Sequence, residues 1–405
     1  MADADHLAPE TPAPDLDAVE RSAKRFFRPD IQGLRAVAVV LVVLAHARVP
    51  GLEGGYIGVD VFFVISGFVI TGLLMRQPPR NVRRNLGHFY ARRIRRIVPA
   101  ATVVLVWTVV AAHVELGVNF DPKLLGDVRW AAFFSANFRL INTSSNYFIP
   151  GVAPSLVTHY WSLAVEEQFY LFFPLVVFSL TWLAPLRHRV NALGAFLLAG
   201  IVASAWWSFH LTPISPISAY YSPFTRFWEI GLGGLVAVLP SAWAQRTSRA
   251  NALFAWIAAV VLALAVLRLN TTSVYPGVMA WWPCAATAVL LWTGQASGER
   301  GPAMWLATRP MRYVGDVSYS LYLWHFAWLM LPLQMVHPPT SPLVRVLEVA
   351  GAFVCAVASY HLLENPIRRS PRLDRDGLAV AMLLVVCLAL SWDATVLIGR
   401  LASAH

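Results

Sequence analysis

The chain has 405 residues, 57% of them hydrophobic and 13% charged, with a mean hydropathy of +0.57. That is too little polar surface to clothe a soluble globule and more apolar length than one core needs, so a polytopic membrane protein is expected. The net charge of +10 does not imply nucleic acid, because 24 of the 32 Lys and Arg residues fall at alternate ends of apolar runs. Basic residues are retained there on the cytoplasmic side, next to anionic headgroups.

Residues 1–28 are rich in Ala, Pro and acids and lack an apolar run before a cleavage site, which predicts a flexible cytoplasmic tail and not a signal peptide. Apolar stretches long enough to span, about 20 residues each, begin near Gly33, Ile57, Ile97, Tyr160, Asn191, Pro223, Asn251, Gly277, Tyr313, Pro342 and Gly377. The predicted fold is an all-α bundle of about ten or eleven transmembrane helices, with the N-terminus inside. The organisation read from this is a tail at 1–28, a membrane domain at 29–370, and an additional helix with a short external tail at 371–405. No internal repeat is evident. Cys284, Cys355 and Cys387 are single and lie in apolar spans, which suggests packing and neither a disulfide framework nor a zinc site.

Within the first span, GLRAVAVVLVVLAHA carries Arg35 and His46, 11 residues apart. At about 3.6 residues per turn that is close to three turns, so both side chains leave one face of the helix. Such groups are costly in lipid and normally face a bundle interior along a substrate or proton path; the plainer reading is a snorkelling arginine and a packing histidine. The second span opens with GGYIGVDVFFVISGF. Its Asp60 comes after a short connection at 50–56, so it is expected at the depth of His46, where a carboxylate would orient the imidazole. An aspartate in a first turn also simply suits the helix dipole. Ser66, further along, is a candidate nucleophile or interhelical contact.

In HFYARRIRRIVP, Arg92, Arg93, Arg95 and Arg96 cover more than one face of the third span, so they cannot all lie toward headgroups. With Arg35 they form a candidate anion site for bidentate phosphate contacts; their plainer role is a topology anchor. The fourth span begins HYWSLAVEEQFYLFFPL. Its adjacent Glu166 and Glu167 point about 100° apart, so one of them at most is expected in a shared cavity, and Tyr170 is expected on the face of Glu167. In the ninth span Ser318, Tyr322 and His325 make a polar stripe, although a lone buried histidine often only packs. Glu364 in HLLENPIRR ends the tenth span before Pro366 and is expected to pair with one of the clustered arginines.

In this order, from Ile31 to Arg369, these motifs resemble acyltransferase family 3 of membrane O-acyltransferases. The resemblance implies transfer of an acyl group, often acetyl, from cytoplasmic acyl-CoA to a hydroxyl of a cell-envelope glycan, glycolipid or secondary metabolite. It implies roles for Arg35 and His46, and for an R-x-x-R matched by Arg92 with Arg95 and by Arg93 with Arg96. Many relatives continue past an eleventh span into an SGNH-type hydrolase domain. Here the span from Gly377 to Ile398 is followed by a few residues only. A separate SGNH-type partner, direct acylation by the membrane domain, and a truncated sequence all fit.

The expected mechanism places CoA phosphates on Arg92, Arg93, Arg95 and Arg96 and the pantetheine arm toward Arg35. His46 acts as base, oriented by Asp60 or by a glutamate of the fourth span such as Glu167. Acyl-CoA is a substrate, with no permanently bound cofactor, and a thioester needs no metal because its sulfur is already a good leaving group. Ser66, Tyr170 and Tyr322 are available for a covalent relay, and Glu166 and His325 for acceptor binding. The main rival is a proton-coupled secondary transporter, which also uses intramembrane Arg, His and Glu. A lipid-linked sugar transferase should carry an acidic metal-binding loop motif, which is not found.

Overall fold

The computed structural model describes residues 28–76, 82–144, 154–183, 188–239, 248–294, 300–338 and 341–403. The tail before Arg28, together with Arg187 and Arg246, lies outside the described residues. The long helices are α1 (Pro29–His46), α2 (Gly58–Met75), α3 (Val82–Leu116), α4 (Tyr160–Leu183), α5 (Arg189–Ile214) and α6 (Pro223–Val238). They continue with α7 (Ser248–Arg268), α8 (Trp281–Thr293), α9 (Arg309–Met330), α10 (Pro342–Ser359) and α11 (Gly377–Ala402). No strand occurs among the described residues. Away from water each backbone group must be satisfied within its own segment, and runs this apolar therefore become helices.

Eight of these helices, among the described residues, are long and apolar enough to cross a membrane: α1 to α5, α7, α10 and α11. The protein is a multi-pass membrane protein. The remaining three differ for physical reasons. α6 and α8 are short, at 16 and 13 residues, whereas α9 has 22 residues and owes its lower hydropathy to its polar stripe. α9 is buried on nearly every side from Val317 to Met330, so its surroundings are protein and not lipid.

Two predicted boundaries move. The third span begins near Ile97, but α3 starts at Val82 and runs 35 residues, about 52 Å at 1.5 Å per residue, against a hydrocarbon core of about 30 Å. Its basic first turns therefore stand outside the hydrocarbon. Pro366 does not end the tenth helix, because a π turn at Tyr360–Glu364 leads into a further turn, Asn365–Arg368, with the proline in its first positions. There its missing N–H is not needed.

Small residues set the closest contacts. A Cβ on Gly67 would strike the Ile230 carbonyl, and one on Gly233 the Val64 carbonyl, so α2 and α6 meet backbone to backbone. A Cβ on Gly315 would strike Gln32, which brings α9 against α1. α1 and α9 run in the same direction, with Arg35 meeting Ser318 and His46 meeting His325.

Candidate active site

At the end of the bundle where α1 and α9 begin, five helices enclose a cavity of about 100 Å³. α1 contributes Arg35, α2 contributes Ser66, and α3 contributes Arg93 and Arg96. α4 contributes Glu166, Glu167 and Tyr170, while α9 contributes Ser318 and Tyr322. Arg35 donates to Ser318 Oγ (2.9 Å) and to Gln32 Oε1 (3.2 Å), an arrangement that holds the guanidinium inside the bundle and not snorkelling to its end. A larger apolar groove of about 380 Å³, between α4, α5 and α6, is walled by Phe169, Phe173, Phe196 and Trp207 and carries no chemistry of its own.

The four clustered arginines divide. Arg93 and Arg96 line the cavity, and the Arg93 guanidinium lies 4.7 Å from the centre of the Tyr170 ring. Arg95 turns away: it is buried, bonds Asp374 (2.7 Å) and the Ser370 carbonyl (3.3 Å), and ties α3 to the turn that leads into α11. Arg92 is exposed. Of the two R-x-x-R pairs, only Arg93 with Arg96 enters the cavity, so the expected four-arginine site contracts to two plus Arg35. The hydrogen bond from Arg95 holds the Asp374 carboxyl below the usual aspartate range. A depressed value means that this latch contributes above the ordinary range and is lost as the pH falls through the lowered one.

Glu166 and Glu167 both line the cavity, contrary to the expectation for adjacent residues. The reason is that the cavity wraps α4. Glu166 faces α2 and accepts from Ser66 and Tyr170, whereas Glu167 lies on the side of Arg93 and Arg96. Tyr170 thus works with Glu166, four residues back, and not with Glu167. Among the described residues, Glu167 Oε1 is buried without a hydrogen-bond partner. Glu364 accepts from Ser320 (2.9 Å), and Arg96 is its foremost neighbouring cation, so a serine takes the contact expected of an arginine.

His46 is not among the residues lining this cavity. Its Nδ1 lies 3.0 Å from His325 Nε2, and its ring meets the edge of Phe326. His159 packs beside them, its ring centre 5.7 Å from that of His325. Tyr322 stands between this cluster and the cavity, its hydroxyl 2.6 Å from Ser162 Oγ and 3.0 Å from the His159 carbonyl. His159 and Ser162 were legible in HYWSLAVEEQ as residues seven and four before Glu166, on its helical face.

Asp60 does not orient His46. It is buried against Arg226 of α6 (3.1 Å), which also pairs with Glu229 (2.9 Å) inside a cage of Phe63, Trp161, Tyr220 and Tyr275 rings. The overlooked signal was Arg226 and Glu229 three apart in an otherwise apolar span, since a cation in such a helix demands a partner. Arg226→Leu, which leaves two buried carboxylates without their cation, is expected to lower stability by roughly 3–5 kcal/mol. Asp60→Asn, which leaves Arg226 with Glu229, should cost clearly less when the two are compared by thermal unfolding in detergent.

The sequence matches the family described as "Acyltransferase domain" over residues 28–361. The chain belongs to that family. It is 31% identical over 364 residues to peptidoglycan O-acetyltransferase OatA of Listeria monocytogenes, a match covering 85% of this chain and 56% of that protein. It is 32% identical over 359 residues to the putative peptidoglycan O-acetyltransferase YrhL of Bacillus subtilis, covering 84% and 55%. With O-acetyltransferase OatA of Staphylococcus aureus it shares 28% over 372 residues, covering 88% and 59%. The chain thus spans little more than half the length of these relatives. No solved structure matches it.

Proposed function

We propose that the protein is a membrane O-acetyltransferase that carries acetyl from cytoplasmic acetyl-CoA to a hydroxyl of a cell-envelope glycan, peptidoglycan being the acceptor that the relatives' names suggest. The observation that carries this reading is the convergence of Arg93, Arg96 and Arg35, from two helices, on one cavity that also holds Glu166, Glu167 and Tyr170. Three guanidinium groups suit an anionic donor. The cavity has room for the thioester end of the donor, so the phosphates sit at its arginine mouth. The unpartnered Glu167 oxygen accepts from an amide of the pantetheine arm. The excess of basic residues supports placing this mouth on the cytoplasmic side, with the N-terminus.

In the reaction the acceptor oxygen attacks the acyl carbonyl carbon, the carbon–sulfur bond breaks, and CoA leaves as thiolate. His46 takes the hydroxyl proton and passes it to the thiolate, so that ester and thiol are the products. For the two to meet, Tyr322 must swing off Ser162 and open the cavity toward the histidines. Purified protein in proteoliposomes should release CoA thiol from acetyl-CoA in an acceptor-dependent way, with acetyl appearing on the glycan. The buried Asp60, Arg226 and Glu229 also suit a proton-coupled transporter. Acceptor-driven proton flux without thiol release would establish that reading instead.

A further inference from the structure

We infer that His325 is a positioning residue that sets the tautomer of His46, placing the proton of His46 on Nδ1 and its lone pair on Nε2. The chain of donors begins at the backbone. His325 Nδ1 lies 3.1 Å from the carbonyl oxygen of Leu321, one turn earlier on α9. A carbonyl only accepts, so this nitrogen carries hydrogen. A neutral imidazole has a single N–H, and His325 Nε2 is therefore an acceptor. The atom 3.0 Å from it is His46 Nδ1, which must donate. The second nitrogen of His46 is then the basic one, and it is the atom that takes the hydroxyl proton in the proposed reaction, on which this inference rests.

The rings are held for this purpose. His46 and His325 have centres 5.1 Å apart and are tilted by 33°, and Phe326 meets His46 edge-on at 5.0 Å. Among the described residues, two further titratable groups face His325: Tyr322 on its own helix, with ring centres 5.4 Å apart, and His159 from the turn before α4. His159 Nε2 lies 3.1 Å from the Leu323 carbonyl, so by the same rule its lone pair is on Nδ1, which among the described residues is buried without a hydrogen-bond partner. Tyr322 is engaged with Ser162 and the His159 carbonyl. Neither takes up His325 Nε2.

The full chain labelled with 15N-histidine in lipid, with the His46 signal assigned by its disappearance in His46→Gln, reports the tautomer directly. His46 should show a protonated Nδ1 and an unprotonated Nε2. A protonated Nε2, as would follow if His325 carried both hydrogens, overturns the inference. His325→Leu cannot accept from His46, and turnover should fall on the order of 10²-fold with the KM for acetyl-CoA unchanged. His325→Gln, whose amide oxygen can accept in place of the ring nitrogen, should recover most of that loss. A Gln variant as impaired as Leu, with both folded, would reduce His325 to packing. Failure of the underlying reading is distinct, since an active His46→Ala sinks the base itself, whereas an inactive His46→Ala together with the opposite His46 tautomer in the unsubstituted protein sinks only the role of His325.

Discussion

His46→Ala is expected to abolish acetyl transfer while leaving acetyl-CoA affinity close to that of the unsubstituted protein. A positioned general base contributes about 10²–10⁴-fold, and the histidine lies beyond Tyr322, outside the cavity where Arg35, Arg93 and Arg96 would hold the donor. Loss of the imidazole therefore removes a proton acceptor and no donor contact. Initial rates of thiol release and equilibrium binding of acetyl-CoA, at equal amounts of monodisperse protein, separate the two effects. Turnover at the wild-type rate would remove His46 from the chemistry. A loss of folded protein with normal specific activity in what remains would make it a packing residue.

Arg93→Ala and Arg96→Ala should act in the opposite way, each weakening acetyl-CoA binding by roughly 10- to 100-fold, since a hydrogen bond to a charged group is worth about 1.5–3 kcal/mol and tenfold is about 1.4 kcal/mol. Raised salt should weaken binding to the unsubstituted protein too, because the contacts are electrostatic. Lysine at either position should restore part of the affinity, lacking the planar fork that grips a phosphate with two donors. Arg95→Ala provides the contrast. Arg95 is 3% exposed and latched to Asp374, so its loss should lower the unfolding temperature and leave donor affinity intact. Equal affinity losses at Arg93 and Arg95 would mean that the cluster acts only as a diffuse charge.

The apolar runs, the polar residues within them and the order of the motifs were sufficient to establish a helical membrane protein of the acyltransferase family. Helical period alone also placed Arg35 and His46 on one face and Ser318, Tyr322 and His325 on another. Those conclusions depend on local geometry and on the absence of water, and both are written in consecutive residues. Which face meets which helix is a different matter. His46 finds His325 across 279 positions and Asp60 finds Arg226 across 166, and nothing in the spacing of either residue's own span names such a partner. Proximity across the short connection at 50–56 argued for Asp60 beside His46, yet Gly67 and Gly233 draw α2 so close to α6 that the carboxylate is claimed by Arg226. The division of four arginines into two in the cavity, one latch and one exposed, and the turning of both Glu166 and Glu167 toward one space, were likewise decided by packing. A cavity is bounded by several helices at once, and its shape exists only after they have been brought together.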